Sequence, residues 1–293
     1  MGKSVYTLVE DIYNLVSTKE IDESVDADAE IEKFGEAMKD LMKSEFSQFK
    51  RDSRTLRLSS IGHADRKLWH RVNGSPVEEI PPYTYVKFLY GHVIEEMLVL
   101  LTRLAGHTVT DQQKECEVEG IKGHMDCTID GVLTDVKSAS TAGFKKFRNG
   151  TLAQDDPFGY IAQIKAYAKS EGQTRYGWLA MDKQNGHLAY LMYDEESPAA
   201  PQEIRYDIAD RVRYVKKMVE QPNPPDQCFP LEPDGQSGNM KLGFGCSYCD
   251  YKQQCYPDLV CYNYSGRPRF LAKVVREPRV DKIPLAELVD ENN

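Results

Sequence analysis

Asp135 and Lys137 stand two residues apart in GHMDCTIDGVLTDVKSAS, residues 123–140. In an extended strand both side chains leave the same face. The Asp130-Gly131 pair is a strong hairpin signal, and it folds 122–130 back along 132–139. Asp126 then approaches Asp135. Two carboxylates held together repel each other, and a hard divalent cation relieves that repulsion. Oxygen ligands select Mg²⁺ or Mn²⁺ rather than zinc. A lysine beside such a cation can orient an attacking water or stabilise charge developing on a phosphate. D-x-K alone is common on solvated strands, so it needs company. Glu95, or Glu96 beside it, lies in a helical stretch before the sheet and could supply a third carboxylate. Gln163 and Tyr167 in YIAQIKAYAKS stand four apart and share a helix face.

A second chemistry sits near the end of the chain. Of seven cysteines, Cys246, Cys249 and Cys255 follow the spacing C-x₂-C-x₅-C. Such a chelating pair with a further thiolate suits a soft metal centre better than disulfides in a chain without export signals. The alternative is three unligated cysteines in a small core. A basic helix carrying Arg66, Lys67, His70 and Arg71 is either a solvated amphipathic face or a contact for a DNA backbone. Trp69 would pack beneath it or stack on a base.

These residues need elements to position them. Helical spacing covers 5–17 and 29–50, with an acidic run of seven carboxylates over Glu20–Glu32 between them. A capped helix follows Ser59-Ser60 and ends near Asn73-Gly74. Residues 76–82 read as a loop and 84–104 as a long helix. Short strands are predicted over 107–118, 122–130 and 132–139, a helix over 157–169, and a strand pair over 174–182 and 187–194. A helix over 201–220 and a proline-rich linker then lead into the cysteines. This order predicts an α/β fold with a mixed central sheet flanked by helices. By composition the regions are 1–58 (acidic, helical), 59–222 (core), 223–265 (cysteine-rich) and 266–293 (tail).

The chain has 293 residues, 41% hydrophobic and 28% charged, which describes a globular protein. It holds no apolar run long enough for a membrane span. Its first residues lack a signal-peptide core, and Tyr6 spoils the myristoylation pattern after Gly2. The expected address is the cytoplasm. A net charge of −9 argues at first against a nucleic-acid partner, yet residues 1–58 and 276–293 carry −4 and −2 of it. The remaining −3 permits a local basic groove around an acidic site.

The order helix–Glu, strand–Asp, strand–Asp-x-Lys, helix–Gln-x-x-x-Tyr resembles the PD-(D/E)xK nuclease superfamily. Within it, the chain is similar to the RecB-like branch, which includes CRISPR-associated adaptation exonucleases and phage recombination exonucleases. The matching residues are G-H-V-I-E (91–95), G-H-M-D (123–126), D-V-K (135–137) and Q-I-K-A-Y (163–167), within roughly 59–262. The resemblance implies a restriction-endonuclease-like sheet and a metal-dependent DNase, an exonuclease acting on DNA ends or single strands. It implies that Glu95, Asp126 and Asp135 bind Mg²⁺ or Mn²⁺ with the Val136 carbonyl. Lys137 would assist the water, while Gln163 and Tyr167 would position DNA. Many branch members carry a histidine where this chain has Glu95; here His92 directly follows Gly91.

The same branch has a C-terminal iron–sulfur motif like Cys246, Cys249 and Cys255, with a fourth cysteine far upstream. Ala64 stands at that upstream position here. The fourth ligand must come from elsewhere: Cys261 is nearest, His63 competes, and Cys228 is third because Pro230 and Pro233 direct it away. Resemblance favours [4Fe–4S] over Zn²⁺. The rival functions are a site-specific endonuclease on the same fold, a non-catalytic nucleic-acid-binding module with a structural metal centre, and a zinc-ribbon interaction protein. The last would leave D-x-K and Q-x-x-x-Y without a role.

Overall fold

The computed structural model describes residues 3–47, 54–77 and 82–285. In chain order the helices are α1 (Leu8–Thr18), α2 (Ala27–Glu45), α3 (Asp65–Val72), α4 (Pro82–Leu104), α5 (Thr141–Arg148), α6 (Tyr160–Glu171), α7 (Ile208–Val219), α8 (Phe244–Ser247) and α9 (Lys252–Cys255). The strands are β1 (Val109–Thr110), β2 (Glu115–Val118), β3 (Ile121–His124), β4 (Cys127–Ile129), β5 (Val132–Ala139), β6 (Arg175–Asp182) and β7 (Leu188–Asp194). They continue with β8 (Glu232–Pro233), β9 (Met240–Lys241), β10 (Val260–Tyr264), β11 (Arg267–Lys273) and β12 (Lys282–Ile283). Two units form: one from Met1–Arg51, Leu56–Gly62 and Lys87–Arg213, the other from Asp52–Thr55, His63–Val86 and Tyr214–Asn293.

The first unit is built on the sheet β1-β4-β5-β6-β7, in which β5 and β6 run parallel and the other neighbours antiparallel. This is the mixed sheet expected. Asp130 and Gly131 turn β4 into β5 with φ of 47° and 80°, the left-handed pair that a tight hairpin requires. Val132 and Val136 of β5 pack with Ile94 and Leu98 of α4 and with Leu8, Ile12 and Leu15 of α1 in one core. Those α1 residues recur at helical spacing, so α1 belongs to this core. By contrast α2 buries no residue and is laced by the i, i+3 pairs Lys33–Glu30, Lys39–Glu36 and Lys43–Asp40. The opposite face of β5 and β6 carries Trp178, Tyr176 and Asp135, with Phe147 of α5 packed 6.3 Å from Trp178.

Some boundaries moved. Ser59 and Ser60 lie in a 3₁₀ turn, Leu58–Ser60, and the basic helix starts only after Ala64. The helix expected over 201–220 begins at Ile208, after a 3₁₀ turn at Gln202–Ile204. The end of the 29–50 helix, part of the 76–82 loop and the last residues of the tail lie outside the described residues. In the second unit, a five-stranded antiparallel sheet β12-β10-β11-β9-β8 joins the cysteine-rich region to the tail. β10 and β11 form a hairpin through Ser265 and Gly266, at φ of 54° and 76°. Among the described residues no helix is long and apolar enough to cross a membrane.

Candidate active site

The β4–β5 register pairs Cys127 with Thr134, so one step further Asp126 stands opposite Asp135. The Val136 N–H donates to Asp126 Oδ2 at 2.7 Å, which fixes that carboxylate at the strand end. Asp135 is 1% exposed, and Lys137, on the same face, places its ammonium 2.6 Å from Asp135 Oδ2. Glu95 projects from α4 to within electrostatic reach of Asp126, Lys137 and Asp135, with Gln113 Nε2 donating to its Oε1 at 3.0 Å. Glu96 turns instead to Gln112, at 3.1 Å, and toward Arg103. The helix carboxylate of the site is therefore Glu95.

Electrostatics here is a competition between burial and one lysine. Burial first, then the charges of Asp126 and Asp135, push the Glu95 carboxyl up to about 8, against the pull of Lys137. Asp126 and Asp135 are also raised by burial, with Lys137 opposing in both cases. Burial disfavours the Lys137 charge, but the two aspartates outweigh it and hold the ammonium protonated. One ammonium among a buried and two half-buried carboxylates leaves a deficit of positive charge when they ionise, and that deficit fits a hard divalent ion. Among the described residues, no three His, Cys, Asp or Glu side chains already bracket a single point. A cation would therefore have to draw the carboxylates in and compete with the ammonium for Asp135.

Helix α6 supplies the rest of the site. Its first N–H groups are capped by Asp156, whose carboxylate accepts from Tyr160 N at 3.0 Å and Ile161 N at 2.8 Å. Gln163 Nε2 donates to Asp135 Oδ1 at 3.3 Å and lies 3.4 Å from Tyr167 Oη. Tyr167 is 1% exposed, and its ring presses on β3 at Gly123, where a Cβ would come within 2.9 Å of it. Tyr167 thus supports Gln163 from within, whereas the sequence suggested a residue that contacts DNA. The sequence reading gave no role to Tyr160, Gln113 or Asp156, and it noted His92 only as the residue after Gly91. The Lys137 ammonium stands 5.2 Å from the Tyr160 ring centroid, and His92 acts electrostatically on Asp126. Both were within reach of periodicity: Tyr160 is three residues before Gln163, and His92 three before Glu95. His124, on β3, is exposed and pairs across to Glu115. His107 is buried between Asp130 and Asp11, at 2.7 and 3.1 Å.

In the second unit, the basic helix turns its charges onto the cysteine region. Arg66 Nε donates to Cys255 Sγ at 3.2 Å, Lys67 pairs with Asp250 at 3.6 Å, and Arg71 hydrogen-bonds Tyr251. Trp69 Nε1 donates to the Gln221 carbonyl at 2.8 Å. Cys246 lies within electrostatic reach of Cys249, Cys228 and Cys255. Cys261, expected as the nearest fourth ligand, lies instead in β10, fully buried between Phe270 and Ile283 on the adjacent strands. Strand pairing of 260–264 prevents the fold-back that its short spacing suggested.

No protein-family model matches the chain, and no curated protein matches it in sequence. Nine chains of solved structures align with it. They include SSO0001, at 15% identity over 76% of this chain and 94% of that chain, with a TM-score of 0.39. They also include an alkaline exonuclease, LHK-Exo from Laribacter hongkongensis, at 15% identity over 58% of this chain and 91% of that chain, with a TM-score of 0.36. LHK-Exo in complex with dAMP aligns at 14% identity over the same shares, with a TM-score of 0.38. Superpositions this loose transfer no chemistry.

Proposed function

We propose that the chain is a metal-dependent deoxyribonuclease with a restriction-endonuclease-like core, acting exonucleolytically on DNA ends or single strands. The observation that carries this reading is the meeting of Glu95, Asp126 and Asp135 around the Lys137 ammonium, with Gln163 on Asp135. Glu95, Asp126 and Asp135, with the Val136 carbonyl, would hold Mg²⁺ or Mn²⁺, which when bound offsets phosphate charge and lowers the pKa of water. Lys137, kept charged by its aspartates, meets the negative charge that develops on the phosphate. Gln163 orients Asp135, and Tyr167 fixes Gln163. In the reaction a water oxygen bonds to phosphorus and one ester P–O bond breaks. The departing oxygen takes up a proton, leaving an alcohol and a phosphate monoester. A protein that only binds nucleic acid gains nothing from three clustered carboxylates that repel phosphate.

The same proposal includes a soft-metal centre on the cysteines, [4Fe–4S] or Zn²⁺, which orders the second unit and takes no part in hydrolysis. The test of the nuclease is incubation of the purified chain with end-labelled linear DNA and closed circular DNA, with Mn²⁺ or with EDTA. Linear DNA should shorten only with Mn²⁺, and closed circles should survive. Asp126→Ala and Asp135→Ala should be inactive while keeping the wild-type circular dichroism. Undiminished cleavage by both variants in EDTA would end the nuclease reading, and cleavage of closed circles would favour an endonuclease.

A further inference from the structure

The N-terminus of α3 has an alanine, Ala64, at its cap and no side-chain hydrogen bond from it. The first N–H groups of a helix lack intrahelical partners and need acceptors from elsewhere. Cys228 comes to this end of the helix: the backbone N–H groups of Arg66 and Lys67 pull its thiol down, while burial outweighs them and pushes it up. The positive end of a helix is also where a thiolate is stabilised.

The segment around Cys228 is held against the other cysteines by direct contacts. Arg66 bridges the two, with Nη1 donating to the Pro225 carbonyl at 2.6 Å and Nε to Cys255 Sγ at 3.2 Å. Gln227 Nε2 reaches the Cys255 carbonyl at 3.4 Å. The Phe229 ring lies so close over Gly245 that a Cβ there would sit 2.7 Å from it. Both sequence neighbours of Cys228 are therefore packed on the segments that carry Cys246 and Cys255. The buried Tyr256 hydroxyl, which has no hydrogen-bond partner among the described residues, faces Cys246, Cys255 and Cys228. An anionic sulfur among those three would give it an acceptor.

We infer that Cys228 is the fourth thiolate of a soft-metal centre with Cys246, Cys249 and Cys255, set against the N-terminus of α3 where residue 64 is alanine. This rests on the proposal that the cysteines bind metal at all, and it replaces Cys261 as the fourth ligand. Four sulfur donors take Zn²⁺ or an iron–sulfur cluster and reject Mg²⁺ or Mn²⁺. The α3 N–H groups, the Arg66 guanidinium and the Tyr256 hydroxyl offset part of the negative charge of such a centre, as outer hydrogen bonds at thiolate sites do. Pro230 and Pro233 do not turn Cys228 away; they follow it after the contact has been made.

The test is anaerobic purification of the full chain as wild type, Cys228→Ser, Cys246→Ser and Cys261→Ser, with iron, sulfide and zinc measured per chain. Wild type and Cys261→Ser should carry the same metal, and Cys228→Ser and Cys246→Ser should lose it. Iron with sulfide in the wild type identifies a cluster, and stoichiometric zinc identifies a zinc site; either supports the ligand set. In chelator competition of the zinc-loaded chain, Cys228→Ser should weaken affinity by about 10²-fold, one of four ligands being lost. Loading with Co²⁺ separates ligation from folding: the thiolate charge-transfer band should weaken in Cys228→Ser and stay unchanged in Cys261→Ser. Metal retained in Cys228→Ser but lost in Cys246→Ser overturns the assignment of Cys228 and leaves the metal centre standing. A wild-type chain that takes up no iron, zinc or cobalt overturns the centre itself.

Discussion

Asp126 and Asp135 face each other across a hairpin, yet each is held by a different donor. A backbone N–H holds the first, at 2.7 Å, and an ammonium the second, at 2.6 Å. Among the described residues the donor on Glu95 is the Gln113 amide, at 3.0 Å, and burial outweighs it and the pull of Lys137. The Glu95 carboxyl titrates near 4.5 when free and at about 8 in the folded chain. A carboxyl raised on folding contributes fully below its unfolded value, and that contribution is lost as pH rises toward the folded one. In EDTA, the melting temperature should therefore fall between about pH 5 and pH 8, and Glu95→Gln should flatten the fall. Calorimetry across that range checks it; a melting temperature that rises with pH in wild type and variant alike would contradict it. Lys137→Ala removes the ammonium beside these acids and should slow cleavage by about 10²–10³-fold, the scale of one preorganised charge-stabilising donor. Single-turnover assays at saturating Mn²⁺ measure that loss. The D-x-K pair and its hairpin partner were legible because strand alternation and an Asp-Gly turn fix which side chains meet. Tyr160 and Gln113 were not singled out: one touches Lys137 through its ring and the other reaches Glu95 from a loop, and neither contact belongs to a two-residue motif.

Helix α6 shows how an element positions chemistry through its end. Its cap residue is Gly159, in the left-handed region at φ 76°, and the capping carboxylate comes from Asp156, three residues further back. That carboxylate binds two N–H groups and sits at the positive end of the helix. Asp156→Ala should cost about 1 kcal/mol of stability, the usual loss on removing a capping oxygen. Because Gln163 follows one turn later, Mn²⁺ affinity should drop as Asp135 loses its orienting amide. Urea denaturation and Mn²⁺ titration on the same variant check both parts; unchanged stability would show that the helix start is held by something else. The reading of 157–169 as a helix came from periodicity, but its cap did not, since the capping aspartate stands outside the usual cap position. The second sheet was missed for a related reason. VCYNYSGRPRFLAK alternates and carries a Ser-Gly turn, but cysteine spacing drew that region toward a metal ribbon. The composition boundary at 265 cuts through the hairpin that pairs β10 with β11.

At the scale of the whole chain, the second unit is made of pieces far apart in sequence, with Arg66 and Cys255 separated by 189 positions. Bringing such pieces together costs loop-closure entropy that grows slowly with length, and contacts of this kind leave no trace in local periodicity. That is why Cys228 ranked last among the candidates from sequence, although Arg66 and Gln227 tie the segment around it to Cys255. A metal that binds only the assembled arrangement stabilises it by mass action, about 2.7 kcal/mol at a free concentration one hundred times the dissociation constant. Removing it should release that stabilisation where the ligands are and nowhere else. Hydrogen exchange of the metal-loaded and metal-stripped chain should then show protection falling by about 10²-fold in α3, β10 and β11. β5, β6 and α6, which rest on Trp178, Tyr176 and Ile164 in their own core, should keep theirs. The Mn²⁺ affinity of the carboxylate site should survive the same treatment, because Glu95, Asp126 and Asp135 belong to the first unit. Equal loss of protection in both units would mean that the centre supports the whole fold, and loss confined to β5 and β6 would contradict the ligand assignment outright.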